Sequence, residues 1–217
     1  FIQKALELGA TAVATDTAGM AHTKAISVPV VRIENPRQHL GNLAAYVYGN
    51  LPGKMPLLFG TTGTNGKTST TYLLEAILRQ MGQVTGLTST AERHIAGETI
   101  VSRLTTPEST EMQALIARMR EKKVTSVAIE VSAQALSQLR VDGLHFDVVG
   151  FTNLSHDHLD DYKDMQEYLE AKLPLFSAHR AKRGVVCLDS KYGRDFVERS
   201  EVPVVTITCL LYTSDAA

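Results

Sequence analysis

The stretch Gly60-Thr61-Thr62-Gly63-Thr64-Asn65-Gly66-Lys67-Thr68 holds residue types that grip phosphate, and it lies between a strand-like LLFG and a helix-like TSTTYLLEAILRQM. Glycines let backbone N–H groups close around phosphate oxygens, a helix N-terminus adds positive dipole, a lysine ammonium reaches the terminal phosphates and a threonine hydroxyl ligates magnesium. The general pattern G-x-x-x-x-G-K-[ST] puts its first glycine where Thr61 stands, so Gly60 comes one residue early. A glycine-rich turn opening a helix is the plain alternative.

Two further groups could meet that loop. Glu130 closes SVAIEVS as the single charge of an apolar run. A carboxylate at a strand end must face solvent or a cation. In an open parallel sheet the strand C-termini share one edge, where ligands bind. If LLFG and SVAIEVS are neighbours, Glu130 comes near the phosphate loop and can hold magnesium. Ser155-His156-Asp157-His158-Leu159-Asp160-Asp161 follows the strand-like DVVGFTN. It matches the zinc-hydrolase pattern His-x-His-x-Asp-His except at its last position, Asp161, and such a hydrolase would leave the phosphate loop idle. Alternatively one histidine assists a magnesium–phosphate site, or the segment is a solvated polar loop.

The elements that must position these groups follow from pattern. FIQKALELGA is helical and stops at Gly9, TAVAT and SVPVVRI are strands, and Asn35-Pro36 reads as N-cap and first helical residue of a helix ending at Gly49. LPGKMP punctuates the chain, giving a partial small α/β domain over residues 1–53 and a second domain over 54–208. In the second, short strands with a turn at Ala96-Gly97 occupy the region 84–102. PESTEMQALIARMREKK is a helix, and SVAIEVS, DVVGFTN, GVVCLDS and VPVVTIT are strands. The fold class is therefore α/β, with a mainly parallel sheet flanked by helices on both faces. CLLYTSDAA, residues 209–217, offers no helix or turn logic and is set aside as a non-native or unassigned tail.

Composition narrows the classes. The 217 residues are 44% hydrophobic and 21% charged, with 22 Lys+Arg against 23 Asp+Glu. This excludes disorder, collagen and a coiled coil. A formal charge of -1 gives no global pull towards nucleic acid or anionic lipid. No apolar run is long enough to span a membrane. Phe1 in place of Met is taken as a cut end, and FIQKALELGA lacks the order of a signal peptide. Cys187 and Cys209 are too few for a disulfide framework and fit a reducing cytosol.

In this order, GTTGTNGKTST, LTTPEST, AIEVSAQALSQLRVDG, FTNLSHDHLDDY and EYLEAKLPLF resemble the Mur ligase family over about residues 1 to 208. The likeness is greatest to its UDP-N-acetylmuramyl-tripeptide synthetases, which add the third amino acid of the peptidoglycan precursor. The family's loop carries its glycine one place early, as here. LTTP with EVSxxAL separates this branch from the alanine- and glutamate-adding relatives and from folylpolyglutamate synthetases. The resemblance implies a UDP-substrate-binding N-terminal domain and an ATP-binding central domain. It implies ATP contacts at Gly63, Thr64, Asn65, Gly66, Lys67, Thr68 and Ser69, with Thr68 and Glu130 on a first magnesium and His158 on a second. Lys172 matches the lysine that the family carboxylates to a carbamate and, with Lys67 and His158, completes the implied catalytic set; a lysine on an amphipathic helix is otherwise usually solvated. Thr105, Thr106, Ser132, Gln138 and Arg140 match positions that hold the UDP-N-acetylmuramoyl dipeptide. The usual EVSSHAL reads EVSAQAL, with Ala133 and Gln134 replacing Ser and His. ENPR at Glu34 to Arg37 resembles the diaminopimelate-selecting DNPR, but that motif belongs to a C-terminal domain this chain is not expected to contain.

The implied reaction activates a substrate carboxylate with ATP as an acyl phosphate, and an amino acid's amine, from meso-diaminopimelate or L-lysine, displaces phosphate to form an amide. The expected setting is cytoplasmic and monomeric, with ATP and magnesium as cofactors and neither nucleic acid nor membrane as partner. Against it stand another P-loop ATPase, which leaves LTTP and EVSAQAL idle, and the zinc hydrolase. A nucleotide-binding fragment without ligase activity is the third alternative, and the 217-residue chain alone is expected to turn over little or nothing.

Overall fold

A computed structural model describes residues 1–156 and 160–208, which divide into two compact units, Phe1–Leu40 and the chain from Gly41 onward. In the first, α1 (Ile2–Glu7) leads to β1 (Val13–Thr15), α2 (Thr17–Met20) and β2 (Val30–Arg32). β1 and β2 pair in parallel, Val13 opposite Val30. The short α2, which the sequence pattern did not signal, is capped by Asp16, whose carboxylate accepts from the Gly19 amide at 2.7 Å. α3 (Pro36–Val47) begins at the expected proline.

The second unit holds β3 (Leu57–Thr62), α4 (Lys67–Gln80), β4 (Thr85–Thr88), β5 (Glu92–Ile95), β6 (Glu98–Val101), α5 (Ser109–Glu121), β7 (Ser126–Glu130), α6 (Ala133–Ser137) and β8 (Val148–Phe151). It continues through α7 (Met165–Lys172), a 3-10 turn at Leu173–Phe176, β9 (Gly184–Cys187), α8 (Gly193–Arg199) and β10 (Val204–Ile207). The strands form one sheet in the order β10-β9-β8-β3-β7-β4-β5-β6. Every pair from β10 to β4 is parallel, while β5 and β6 are antiparallel. The antiparallel pair resolves the region 84–102: Ala96 (φ 50) and Gly97 (φ 90) make the tight hairpin turn, both with positive φ.

Burial follows position in the sheet. All residues of β4 and β7 are buried, as central parallel strands require. Phe151 stacks on Phe196 with ring centres 3.8 Å apart, and Phe176 meets Phe196 edge-on at 5.3 Å, locking β8, the 3-10 turn and α8 together. Coverage is not symmetric among the described residues: Val205 and Ile207 of β10 and Leu73 and Ile77 of α4 remain exposed. No helix among the described residues is long and apolar enough to cross a membrane.

Among the described glycines, Gly41 makes the closest approach to main chain, where α3 meets the loop before β8. A Cβ on Gly41 would lie 2.0 Å from the Asp142 carbonyl oxygen. Alanine in a helix interior is normally favoured over glycine by about 1 kcal/mol, but forcing a methyl into packed backbone costs about 1–3 kcal/mol or more. The clash is with main chain, which has no alternative rotamer, so it wins. Gly41→Ala is expected to lower the melting temperature by about 2–6 °C, measured by calorimetry; an unchanged or higher midpoint would show that the two segments separate freely.

Candidate functional site

The site grows from the C-terminal ends of β3, β4, β7 and β8. β3 is flanked in parallel by β7 and β8, with Thr61 opposite both Glu130 and Gly150. The expected neighbour relation of LLFG and SVAIEVS is therefore met, and the loop after β3 leaves the sheet beside Glu130. Gly63 turns the chain at φ 146, and a Cβ there would lie 2.0 Å from Thr152 Oγ1. Only glycine fits. Gly66, at φ 83, ends the loop as the N-cap of α4 and leaves the first amides of that helix facing the loop.

The segment after β8 supports this loop from outside. The Thr64 amide donates to the Asn153 carbonyl at 2.8 Å, and the Ser155 amide donates to Thr64 Oγ1 at 3.0 Å. Asn153 holds Asn65 twice: its Oδ1 accepts from the Asn65 amide at 3.0 Å, and its Nδ2 donates to the Asn65 carbonyl at 3.0 Å. Thr152 Oγ1 donates to the same carbonyl at 2.7 Å. Lys67 Nζ folds back to donate to the Thr64 carbonyl at 2.8 Å.

Glu130 is 2% exposed and is surrounded by donors. Its Oε2 accepts from Thr68 Oγ1 and from the Thr90 amide, each at 3.0 Å, and Thr90 Oγ1 lies 3.2 Å from its Oε1. Those bonds make burial of the carboxylate tolerable. Thr90 Oγ1 also lies 3.0 Å from Thr105 Oγ1. Thr106 Oγ1 donates to the Glu130 carbonyl at 2.9 Å and accepts from the Ser132 amide at 3.2 Å. Ser132 caps α6, its hydroxyl accepting from the Ala135 amide at 3.1 Å. Lys67, Thr68, Glu130, Thr105, Thr106 and Ser132 thus share one edge.

The remaining predicted residues are placed as follows. Ser69 lies on the first turn of α4 and Gln138 at the C-terminal cap of α6. Arg140 is engaged by Glu108, Nε to Oε1 at 2.9 Å. Lys172 is 1% exposed rather than solvated: Nζ donates to the Gly63 carbonyl at 3.0 Å and sits 4.3 Å from the centre of the Tyr168 ring. Asp157, His158 and Leu159 lie outside the described residues, and with them the histidine expected at a second magnesium. Thr90 was not singled out from sequence. Its one signal is position, just past a strand that ends on the same edge as Glu130.

These residues fit a nucleotide polyphosphate with a divalent cation. Gly63 keeps the loop free of side-chain bulk, the α4 amides and Lys67 supply positive charge, and the Thr68 hydroxyl with the Glu130 carboxylate is an oxygen donor pair of the kind a hard cation such as magnesium takes.

Comparison with known proteins came to the same region. The family described as Mur ligase middle domain matches residues 61–213. The chain is 57% identical over 197 residues to a UDP-N-acetylmuramyl-tripeptide synthetase of Leifsonia xyli subsp. xyli, covering 91% of this chain and 38% of that protein. It is 48% identical over 208 residues to a UDP-N-acetylmuramoyl-L-alanyl-D-glutamate--2,6-diaminopimelate ligase of Streptomyces avermitilis, covering 96% and 41%. The chain thus spans about two fifths of the length of these curated relatives. Among solved structures, a UDP-N-acetylmuramoyl-L-alanyl-D-glutamate--2,6-diaminopimelate ligase superposes with a TM-score of 0.80 at 24% identity, over 95% of this chain and 42% of that one. A bifunctional folylpolyglutamate synthase/dihydrofolate synthase solved with Mn, AMPPNP and L-glutamate gives 0.59 at 18% identity, over 87% and 50%. At these identities the structural matches speak for fold alone.

Because Asn153 holds the phosphate loop by two bonds, Asn153→Ala is expected to weaken adenine-nucleotide binding by the full-length protein about tenfold, the loss of roughly 1–2 kcal/mol of loop hydrogen bonding. The melting temperature should fall by only a few degrees. Titration with a fluorescent nucleotide checks this; an unchanged affinity would mean that the loop holds its shape without Asn153.

Proposed function

The chain belongs to the Mur ligase family, and from that premise we propose that the whole protein joins a diamino acid, meso-diaminopimelate or L-lysine, to UDP-N-acetylmuramoyl-L-alanyl-D-glutamate in the cytoplasm. ATP with magnesium supplies the phosphoryl group that turns a substrate carboxylate into an acyl phosphate, from which the amino acid's amine displaces phosphate. The observation that carries this reading is the convergence of Lys67, Thr68 and Glu130 where β3 enters α4, in a chain whose relatives bear the names of that reaction.

The chain's own groups then have defined tasks. A carboxylate must approach a polyphosphate, and the repulsion between them is the barrier to be lowered. Loop amides at 63–66 and the α4 N-terminus hold phosphate oxygens, and the Lys67 ammonium turns from the Thr64 carbonyl towards the terminal phosphate. Thr68 and Glu130 would hold the cation, and the Thr90 amide fixes the carboxylate's rotation. Thr105, Thr106 and Ser132, joined through Thr90 and Glu130 to the cation pair, face the muramoyl dipeptide, and Arg140, leaving Glu108, takes one of its acidic groups. The place of Lys172, buried with its amine on the Gly63 carbonyl, supports its assignment as the lysine that becomes a carbamate, because it puts that nitrogen beside the phosphate loop rather than in solvent.

Incubation of the full-length protein with UDP-N-acetylmuramoyl-L-alanyl-D-glutamate, ATP, magnesium and each candidate diamino acid is expected to give a new amide product and equimolar phosphate with one of them, read by mass spectrometry and phosphate release. Lys67→Ala should lower the rate by about a hundredfold or more, as loss of a charge stabilising a phosphoryl transition state does. Phosphate release without amide formation under all conditions would replace the ligase with an ATPase.

A further inference from the structure

Two rows of side chains run side by side away from Glu130. On α4, Thr68, Tyr72 and Glu75 are spaced to share one face. On the chain entering β5, Thr90, Glu92 and His94 alternate onto one side. The rows meet rung by rung. Thr68 and Thr90 both hydrogen-bond Glu130. Tyr72 Oη donates to Glu92 Oε2 at 3.1 Å, and His94 Nδ1 lies 2.9 Å from Glu75 Oε2. His94 also reaches along its own strand, Nε2 to Glu92 Oε2 at 3.2 Å, and its ring meets Tyr72 edge-on at 5.6 Å. The buried Glu75 carboxylate is tied in turn to β4 by the Thr85 hydroxyl at 3.2 Å.

The two ring nitrogens of His94 thus bridge Glu75 on α4 and Glu92 on its own strand. We propose that His94 is a positioning residue whose ring clamps α4 to β5 and so sets the grip of Thr68 and Thr90 on Glu130, and with it the affinity for the nucleotide-bound cation. The inference rests on the reading of Thr68 and Glu130 as the cation's holders. The titratable groups facing His94 are Tyr72 and Glu75 from α4 and Glu92 from its own strand; its strand partners, Leu87 on β4 and Thr99 on β6, carry no charge. The hydrogen bond from His94, then that from Tyr72, hold the Glu92 carboxyl below its ordinary range, so it stays an anionic acceptor. Burial, aided by Glu92, pushes the Tyr72 phenol up, so it stays a donor.

The test titrates magnesium into full-length protein with fluorescent ADP. His94→Phe keeps a ring against Tyr72 but makes no hydrogen bond, and is expected to need about threefold more magnesium than wild type for half-saturation, a shift typical of coupling through a packed neighbouring network, with the affinity for metal-free ADP unchanged. Glu75→Gln, which weakens one of the two bonds to the ring, should shift the magnesium curve the same way and serves if His94→Phe does not fold. Identical magnesium curves in wild type and both folded variants would overturn the proposal. If wild type binds no ADP, or Lys67→Ala binds it unchanged, the nucleotide reading itself fails. Hydrogen exchange at the Thr90 amide then decides: faster exchange in His94→Phe supports the clamp, and unchanged exchange refutes it.

Discussion

Parallel pairing of β3 with β7 sets Thr61 opposite Glu130, and with it an ionisable carboxyl at the end of a strand whose every residue is buried. A charge in that position is costly unless donors surround it. The donors come from two other segments, the first turn of α4 and the loop between β4 and β5. Each is an amide or hydroxyl that would itself lose about 1–3 kcal/mol if buried without a partner. The demand is thus mutual, and it fixes three connections of the sheet relative to one another before any ligand arrives.

The strand order turns this local demand into a site. β8 flanks β3 on the side away from β7, so the segment following β8 emerges next to the phosphate loop and can hold it by Thr152, Asn153 and Ser155. The antiparallel β5 and β6 lie beyond β4 and carry the second attachment of α4, through Tyr72 and Glu75. The phosphate-loop helix is therefore held at its first turn by Glu130 and further along by β5.

The parallel core was legible in the sequence because its strands are apolar runs bounded by glycines and polar turns, and Gly-Lys-Thr at a strand-to-helix junction has few other uses. Glu130 was legible for the same reason, as a charge out of place. Thr90 was not, since a threonine after a strand is common and its importance lies in pairing with a residue forty positions away. The short α2 and α6 were missed because each is a turn or so of helix stabilised by its cap, Asp16 or Ser132, with no room for a period to show. Lys172 illustrates the opposite error. Helix amphipathicity puts lysines outside, yet here the neighbouring Tyr168 ring and the Gly63 carbonyl make an interior niche that no local pattern announces.

The bond from Lys172 to the Gly63 carbonyl joins the end of α7 to the first residue of the loop after β3. Gly63 has no side chain to adjust, and its backbone is already pressed against Thr152. A shift of the α7 end therefore reaches the loop through main chain, with no side chain between to absorb it. The helix end and the loop after β3 are thereby tied mechanically into one unit, although 109 positions separate the two residues in the chain.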